Sequence, residues 1–151
     1  MYTRILVAID SSSTGQKALD EAVRVAAALR ASLCIAHAVD AAALIQHGMG
    51  IGTYIDIEKV KGEMRATGNR LLEEAVARAA AAGCRAEHLL IESSTSKRVA
   101  EMIADSGRDW GADLIVVGTH GRHGFQRMLV GSVAENLVRI ATTSLLLVRE
   151  Q

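Results

Sequence analysis

Proline is absent from the 151 residues, which is unusual for a chain that must turn between elements. Aromatic residues make up only 3%, although 50% of the chain is hydrophobic. An aromatic core is excluded, so the interior must be built from Ala, Val, Leu and Ile. Such aliphatic runs, with Ala-rich stretches between them, suit buried parallel strands covered by helices. No sign of charge dominates: 17 Lys and Arg balance 17 Asp and Glu, for a formal net charge of zero. That balance argues against a protein that coats nucleic acid or a membrane surface, both of which need a basic excess. It leaves room for a local phosphate site, which needs only a few donors.

Cysteine is also scarce. Cys34 and Cys84 are too far apart in sequence for a CxxC metal pair. Cys34 sits in an apolar run and reads as a small buried hydrophobe. A disulfide would require the fold to bring the two together. No apolar run approaches membrane-spanning length, and the opening MYTRILVAID lacks the charged-then-apolar order of a secretory leader. The expectation is a cytoplasmic protein in a reducing compartment, without a membrane or nucleic-acid partner.

What is present is a repeated alternation. Five short apolar runs, Ile5 to Ile9, Leu33 to Val39, Glu87 to Ile91, Leu114 to Val117 and Leu145 to Val148, have strand length. Four segments between them show helical spacing. The first carries Ala18, Leu19, Ala22, Val23, Ala26 and Leu29. The second runs from Val60 through Leu72 to Ala79, with Gly62 and Gly68 weakening its start. Val99, Met102 and Ile103 mark the third, and Val133, Leu137, Val138 and Ala141 the fourth. The order βαβαβαβαβ predicts one α/β domain over 1–151, an open, doubly wound, Rossmann-like parallel sheet of five strands with four helices. Right-handed crossovers leave few plausible strand orders. The commonest for five strands places strand 1 centrally, and the order expected is 3-2-1-4-5, with the winding reversing between strands 1 and 4. Ligands bind at that reversal, outside the carboxyl ends of the strands. The crevice would then be lined by the residues just after Ile9 and Val117, namely Asp10 and Gly118.

The stretch Gly118-Thr119-His120-Gly121-Arg122-His123-Gly124, with Gly131-Ser132-Val133-Ala134-Glu135 beyond it, leaves one predicted strand and ends at a predicted helix start. Glycines there admit positive φ and let a ligand approach the main chain. Ser132-x-x-Glu135 has the capping-box pattern and predicts Ser132 as the N-cap of the fourth helix. Free N–H groups at that start favour an anion, with Arg122 or Arg127 adding charge. A plainer account remains for each piece: a cap at Ser132, a tight strand end at Gly118, solvated loop residues at His120 and His123. Asp10 would then merely cap the first helix, which begins within Ser11 to Thr14. No HExxH spacing points to a metal. The run Gly48-Met49-Gly50-Ile51-Gly52 reads as a mobile loop, because it neither ends a strand nor opens a helix.

Gly118-x-x-Gly121, nine residues, then Gly131-Ser132 matches G-x2-G-x9-G-[ST], the ATP-binding pattern of the universal stress protein family. The surrounding LIVVGTHGRHGFQRMLVGSVAENLV and the opening ILVAIDSSSTGQKAL resemble that family as well, so the resemblance covers essentially the whole chain. It implies an ATP site at the carboxyl ends of strands 1 and 4. The main chain at Ala8 and Ile9 and the side chain of Asp10 would face the nucleotide, Asp10 near the ribose or a bound Mg²⁺. Val39 occupies the position whose backbone reads the adenine edge. Gly118, Gly121, Gly131, Ser132 and Val133 would hold ribose and phosphates. Arg122 is added to this set for its charge and place.

The chain departs from the family at three points. Ala8 stands for the usual proline, Ser11 for a glycine, and Thr143-Ser144 for a Cys-Pro type pair before the last strand. The resemblance further implies a homodimer through that strand, and the apolar edge Leu145 to Val148 independently favours such pairing. The function expected is an ATP-binding stress-response regulator, whose nucleotide (ATP, or AMP or cyclic AMP) alters loop structure and contacts with an unidentified protein partner. One alternative is a slow ATPase or nucleotidyl-transferring enzyme. It is disfavoured by the lack of a Walker A lysine and of a second carboxylate. The other is a nucleotide-free dimeric interaction protein.

Overall fold

The computed structural model describes residues 1–41, 56–92, 97–120 and 131–150. Along the chain run β1 (Arg4–Ala8), α1 (Ser13–Leu29), β2 (Ser32–Val39), α2 (Ile57–Ala81), β3 (Ala86–Glu92), α3 (Val99–Trp110), β4 (Leu114–Gly118), α4 (Ser132–Ile140) and β5 (Ser144–Val148). The five strands form one parallel sheet in the order β3-β2-β1-β4-β5. The predicted fold class, strand order and helix number are all found among the described residues.

Strand alternation divides the core between two faces. Ile5, Val7 and Ile9 of the first strand segment pack with Leu33 and Ile35 beneath α1 and α2. Leu6 and Ala8 pack with Cys34 and Ala36 beneath α3 and α4. β1 is buried on both faces, as its unbroken apolar run requires. Cys34 and Cys84 lie in different clusters and are both free thiols. Burial, with the nearby Glu87 carboxylate adding, pushes the Cys34 thiol up to about 11. Burial also raises Cys84. Neither is a thiolate at neutral pH, which suits inert core residues.

α2 continues through both glycines that weaken its predicted start. At Gly68 the missing side chain is a packing requirement. A Cβ there would stand 2.7 Å from Leu90 Cδ1 and 2.9 Å from His37 Cδ2, so glycine lets the helix settle onto β2 and β3. Asp56 caps α2, its carboxylate accepting the Lys59 N–H at 3.2 Å. The Gly48 to Gly52 run lies outside the described residues.

One predicted terminus is corrected. Gly131, not Ser132, is the N-cap of α4, with φ −69° and ψ 158° and no side-chain cap bond. Its N–H donates to Thr119 O, and its carbonyl accepts the Glu135 N–H at 2.9 Å, the first bond of the helix. Ser132 is therefore already helical, and Glu135 pairs with Arg139 at 2.8 Å instead of closing a capping box.

Candidate functional site

β1 and β4 are neighbours, and the sheet's winding reverses between them. Their carboxyl ends open where the topology predicts a ligand crevice. Asp10 comes just after β1 and is half-buried. It does not cap α1 itself. Ser12 is the N-cap, its hydroxyl oxygen accepting the Gly15 N–H at 3.0 Å. Asp10 Oδ1 in turn accepts from the Ser12 N–H at 3.0 Å and from the Ser12 hydroxyl. Gly15 fits against this carboxylate because it has no side chain; a Cβ would stand 2.6 Å from Asp10 Oδ1. Asp10 Oδ2 has no hydrogen-bond partner among the described residues.

The exit of β4 is held from three sides. The Thr119 N–H donates to Val148 O at 2.8 Å, and Thr119 O accepts from Gly131 N–H at the start of α4. The Thr14 hydroxyl, 1% exposed, donates to His120 O, and the Ser12 hydroxyl approaches the same carbonyl at 3.5 Å. Gly118 lies directly under this turn. A Cβ there would stand 2.9 Å from the Thr14 carbonyl carbon and 3.0 Å from Thr14 Cβ. The His120 ring shares a 3.0 Å contact between Nδ1 and the Thr119 hydroxyl. Asp10, Gly118, Gly131 and Ser132 are thus brought to one end of the sheet by a continuous hydrogen-bonded junction.

The remaining expected residues are spread around this junction. Ala8 and Ile9 are buried at the end of β1. The Ile9 N–H donates to Ala36 O at 2.9 Å, and Ile9 O lies 2.8 Å from His37 Nδ1. The main chain at Ile9 is therefore engaged by β2. Val39, 6% exposed, closes β2 on the far side of β1. Ser132 is exposed and Val133 half-buried in the first turn of α4. Gly121 and Arg122, with Arg127 and His123, lie outside the described residues. Sequence reasoning missed Ser12, Thr14, Gly15 and Thr119 as builders of the junction. The hydroxyl run Ser11 to Thr14 was visible as a helix start, but its reach to His120 is a contact across 106 positions.

Other concavities are unlike the crevice. One of about 380 Å³ lies between α3 and α4 toward the start of β5, lined by Lys97, Asp105, Arg108, Ile140 and Thr142 among others. Its charges already pair, Lys97 with Asp105 at 2.6 Å and Arg108 with Asp105 at 2.8 Å. Hydrogen bonds from both cations hold the Asp105 carboxyl below its ordinary range. A smaller one of about 190 Å³ opens beside Ser11, between His37 and α2. Among the described residues no group of three or more His, Cys, Asp or Glu is placed to hold a metal ion. No helix of the described residues is long and apolar enough to cross a membrane.

A family model described as the universal stress protein family matches residues 1–149. The chain is 32% identical to universal stress protein YxiE of Bacillus subtilis (strain 168), covering 99% of this chain and 100% of that protein. Among solved structures, it resembles a universal stress protein family member from Burkholderia pseudomallei with 33% identity and a TM-score of 0.76, over 97% of this chain and 96% of that one. It also resembles a universal stress protein solved in complex with cAMP, with 28% identity and a TM-score of 0.70, over 98% and 97% of the two chains.

Proposed function

The chain belongs to the universal stress protein family, and on that ground we propose that it is a nucleotide-binding regulatory protein holding ATP at the carboxyl ends of β1 and β4. The observation that carries this reading is the junction itself. Asp10 bonds to Ser12, Thr14 two residues on bonds to His120, and Thr119 beside it bonds to Gly131, so Asp10 and the two ends of the glycine segment meet at the switch point of the sheet. A relative bound to cAMP supports an adenine nucleotide as the ligand class.

In this reading the whole chain is one nucleotide-binding domain. Gly118, Gly121, Gly131, Ser132 and Val133 hold ribose and phosphates, with Arg122 adding charge. The uncapped start of α4 suits that task, because the Ser132 hydroxyl bonds to no described residue and first-turn N–H groups favour an anion. The backbone at Val39 reads the adenine edge. Asp10 faces the ribose or a Mg²⁺ ion. Asp10 Oδ2, without a hydrogen-bond partner among the described residues, fits a Mg²⁺ bound mainly by phosphate and water, which takes one or two protein carboxylates. When bound, that ion would neutralise phosphate charge. A single carboxylate supports binding more than turnover, so the site acts by being filled and emptied, with a protein partner reading its state. Among the described strands β5 pairs with β4 alone and stands at the sheet edge, and that edge supports pairing of two copies through this strand. A cytoplasmic location accords with this role.

The test is to denature purified protein, identify released nucleotide by chromatography with mass detection, and titrate the emptied protein with ATP, AMP and cyclic AMP. Stoichiometric ATP, or clear ATP affinity, is the expected result. No released nucleotide and no affinity for any of the three would leave a dimeric interaction protein.

A further inference from the structure

A contact outside the glycine pattern joins α1 to the rim of the crevice. Thr14 belongs to the first turn of α1, faces inward and is 1% exposed. Its hydroxyl donates to the carbonyl of His120, the last described residue before the glycine segment. Its backbone and Cβ lie against Gly118, where only glycine leaves room for them. The same β4 exit binds Gly131 through Thr119 O and β5 through Val148 O. Both ends of the segment between His120 and Gly131 are therefore anchored, and Thr14 is the anchor reaching from the Asp10 side. Buried hydroxyls are retained where they have a partner, and here the partner is a backbone group at the rim of the crevice.

We infer that Thr14 is a positioning residue for the nucleotide site: its hydroxyl sets where the glycine segment leaves the sheet relative to Asp10. This rests on the reading of the crevice as a nucleotide site. Thr14 touches no nucleotide in this scheme. It acts through His120 O, and a small displacement of a phosphate-holding backbone is enough to lose well-aligned N–H donors. Ser12, at 3.5 Å from the same carbonyl, is too distant to replace it.

The experiment compares Thr14→Val, which keeps the shape and removes the hydroxyl, with Thr14→Ser, which keeps the hydroxyl. ATP titration calorimetry on emptied protein is run beside native-state amide exchange without ligand. Thr14→Val is expected to weaken ATP binding about tenfold, the scale of one lost buried hydrogen bond. Thr14→Ser should stay within about threefold of the parent. Exchange at the Gly131 amide should rise in Thr14→Val while Leu6 and Val116, in the sheet centre, stay protected. Equal ATP affinity in parent and Thr14→Val, or equal loss in both variants, overturns the inference. So does a matching rise in exchange at Leu6 and Val116, which would make Thr14 a general stabiliser. If the parent itself binds no ATP, AMP or cyclic AMP, the nucleotide reading falls first, and the exchange result alone then reports on the tether.

Discussion

At the amino end of the sheet Asp113 bonds to described residues through both carboxylate oxygens, whereas at the carboxyl end Asp10 does so through one. Asp113 Oδ2 accepts from the Thr3 N–H at 2.7 Å and the Thr3 hydroxyl at 2.8 Å, and Oδ1 accepts from the Arg4 N–H at 2.9 Å. The Asp113 N–H returns a bond to Arg4 O at 2.9 Å. Arg4 then donates to Trp110 O at 2.6 and 3.0 Å and lies 4.1 Å over the indole ring, whose N–H reaches Glu87 at 3.2 Å. Asp113, Arg4 and Trp110 are thus each answered by another part of the fold. At the other end, Asp10 Oδ2 and the Ser132 hydroxyl meet no described partner. Two similar aspartates therefore differ in their described partners: one is bonded through both oxygens, and the other through Oδ1 to Ser12.

The largest effect expected is at Gly118, where the comparison is most easily blurred. The motif assigns this glycine to the ligand, yet its nearest neighbour is the Thr14 backbone at 2.9 Å. Gly118→Ala should cost about 1–3 kcal/mol of stability without any nucleotide present, because backbone cannot move aside as a side chain can. Chemical denaturation of emptied protein checks it. An unchanged midpoint with lost ATP affinity would make Gly118 purely a ligand residue.

Asp113→Ala comes next, at about 1–2 kcal/mol from lost charge-assisted hydrogen bonds that lie exposed to solvent, with ATP affinity unchanged. Burial pushes this carboxyl up, but hydrogen bonds from Arg4 and Thr3 together outweigh it and hold it below the ordinary aspartate value. Its contribution is therefore fully present above about pH 3.9 and is lost as pH falls through the lower folded value. In a pH series of denaturation midpoints, Asp113→Ala should lie below the parent at neutral pH and converge with it in acid. Parallel curves would mean that the carboxylate charge contributes nothing.

Asp10→Asn tests the other half of the comparison. Its amide oxygen can still accept from Ser12, so stability should change by less than about 1 kcal/mol. ATP affinity should drop about tenfold in the presence of Mg²⁺ and less without it, because only the charge is removed. Calorimetry with and without the metal separates the two. A variant that loses melting temperature but not affinity would show that Asp10 serves the Ser12 cap alone.

Much of the frame was legible because each strand is a short apolar run and each helix carries its apolar residues at three- and four-residue steps. Right-handed crossovers then left few strand orders, and the commonest of them, which is the one found, pointed to Asp10 and Gly118. What escaped was decided by tertiary contact. Ser132 and Glu135 have the letters of a capping box, but the Gly131 N–H is taken by Thr119, and the helix starts one residue earlier. Gly68 reads locally as a weak point in a helix, while in the fold it is where α2 comes nearest to His37 and Leu90. The Thr14 hydroxyl carries no local signal for a partner 106 positions away.

The smallest expected effect lies at the far end of α1, the helix that runs from the crevice to the opposite side of the sheet. Arg30 caps it in the left-handed region at φ 55° and ψ 36°, its N–H shared between Ala26 O and Ala27 O. It is the one described non-glycine residue with positive φ, and its side chain makes no ion pair among the described residues. A left-handed L-residue costs about 1–2 kcal/mol, part of which glycine returns as entropy lost on folding. Arg30→Gly should therefore stabilise by about 0.5–1 kcal/mol, a rise of roughly 1–4 °C in a chain of this size. Because Arg30 is separated from Ser12 and Thr14 by the whole helix, ATP affinity should stay at the parent value. Calorimetric melting and ATP titration on the same sample measure both. A gain in melting temperature with a loss of affinity would mean that α1 transmits changes at its base to the crevice, and the two ends of the sheet could no longer be treated as separate.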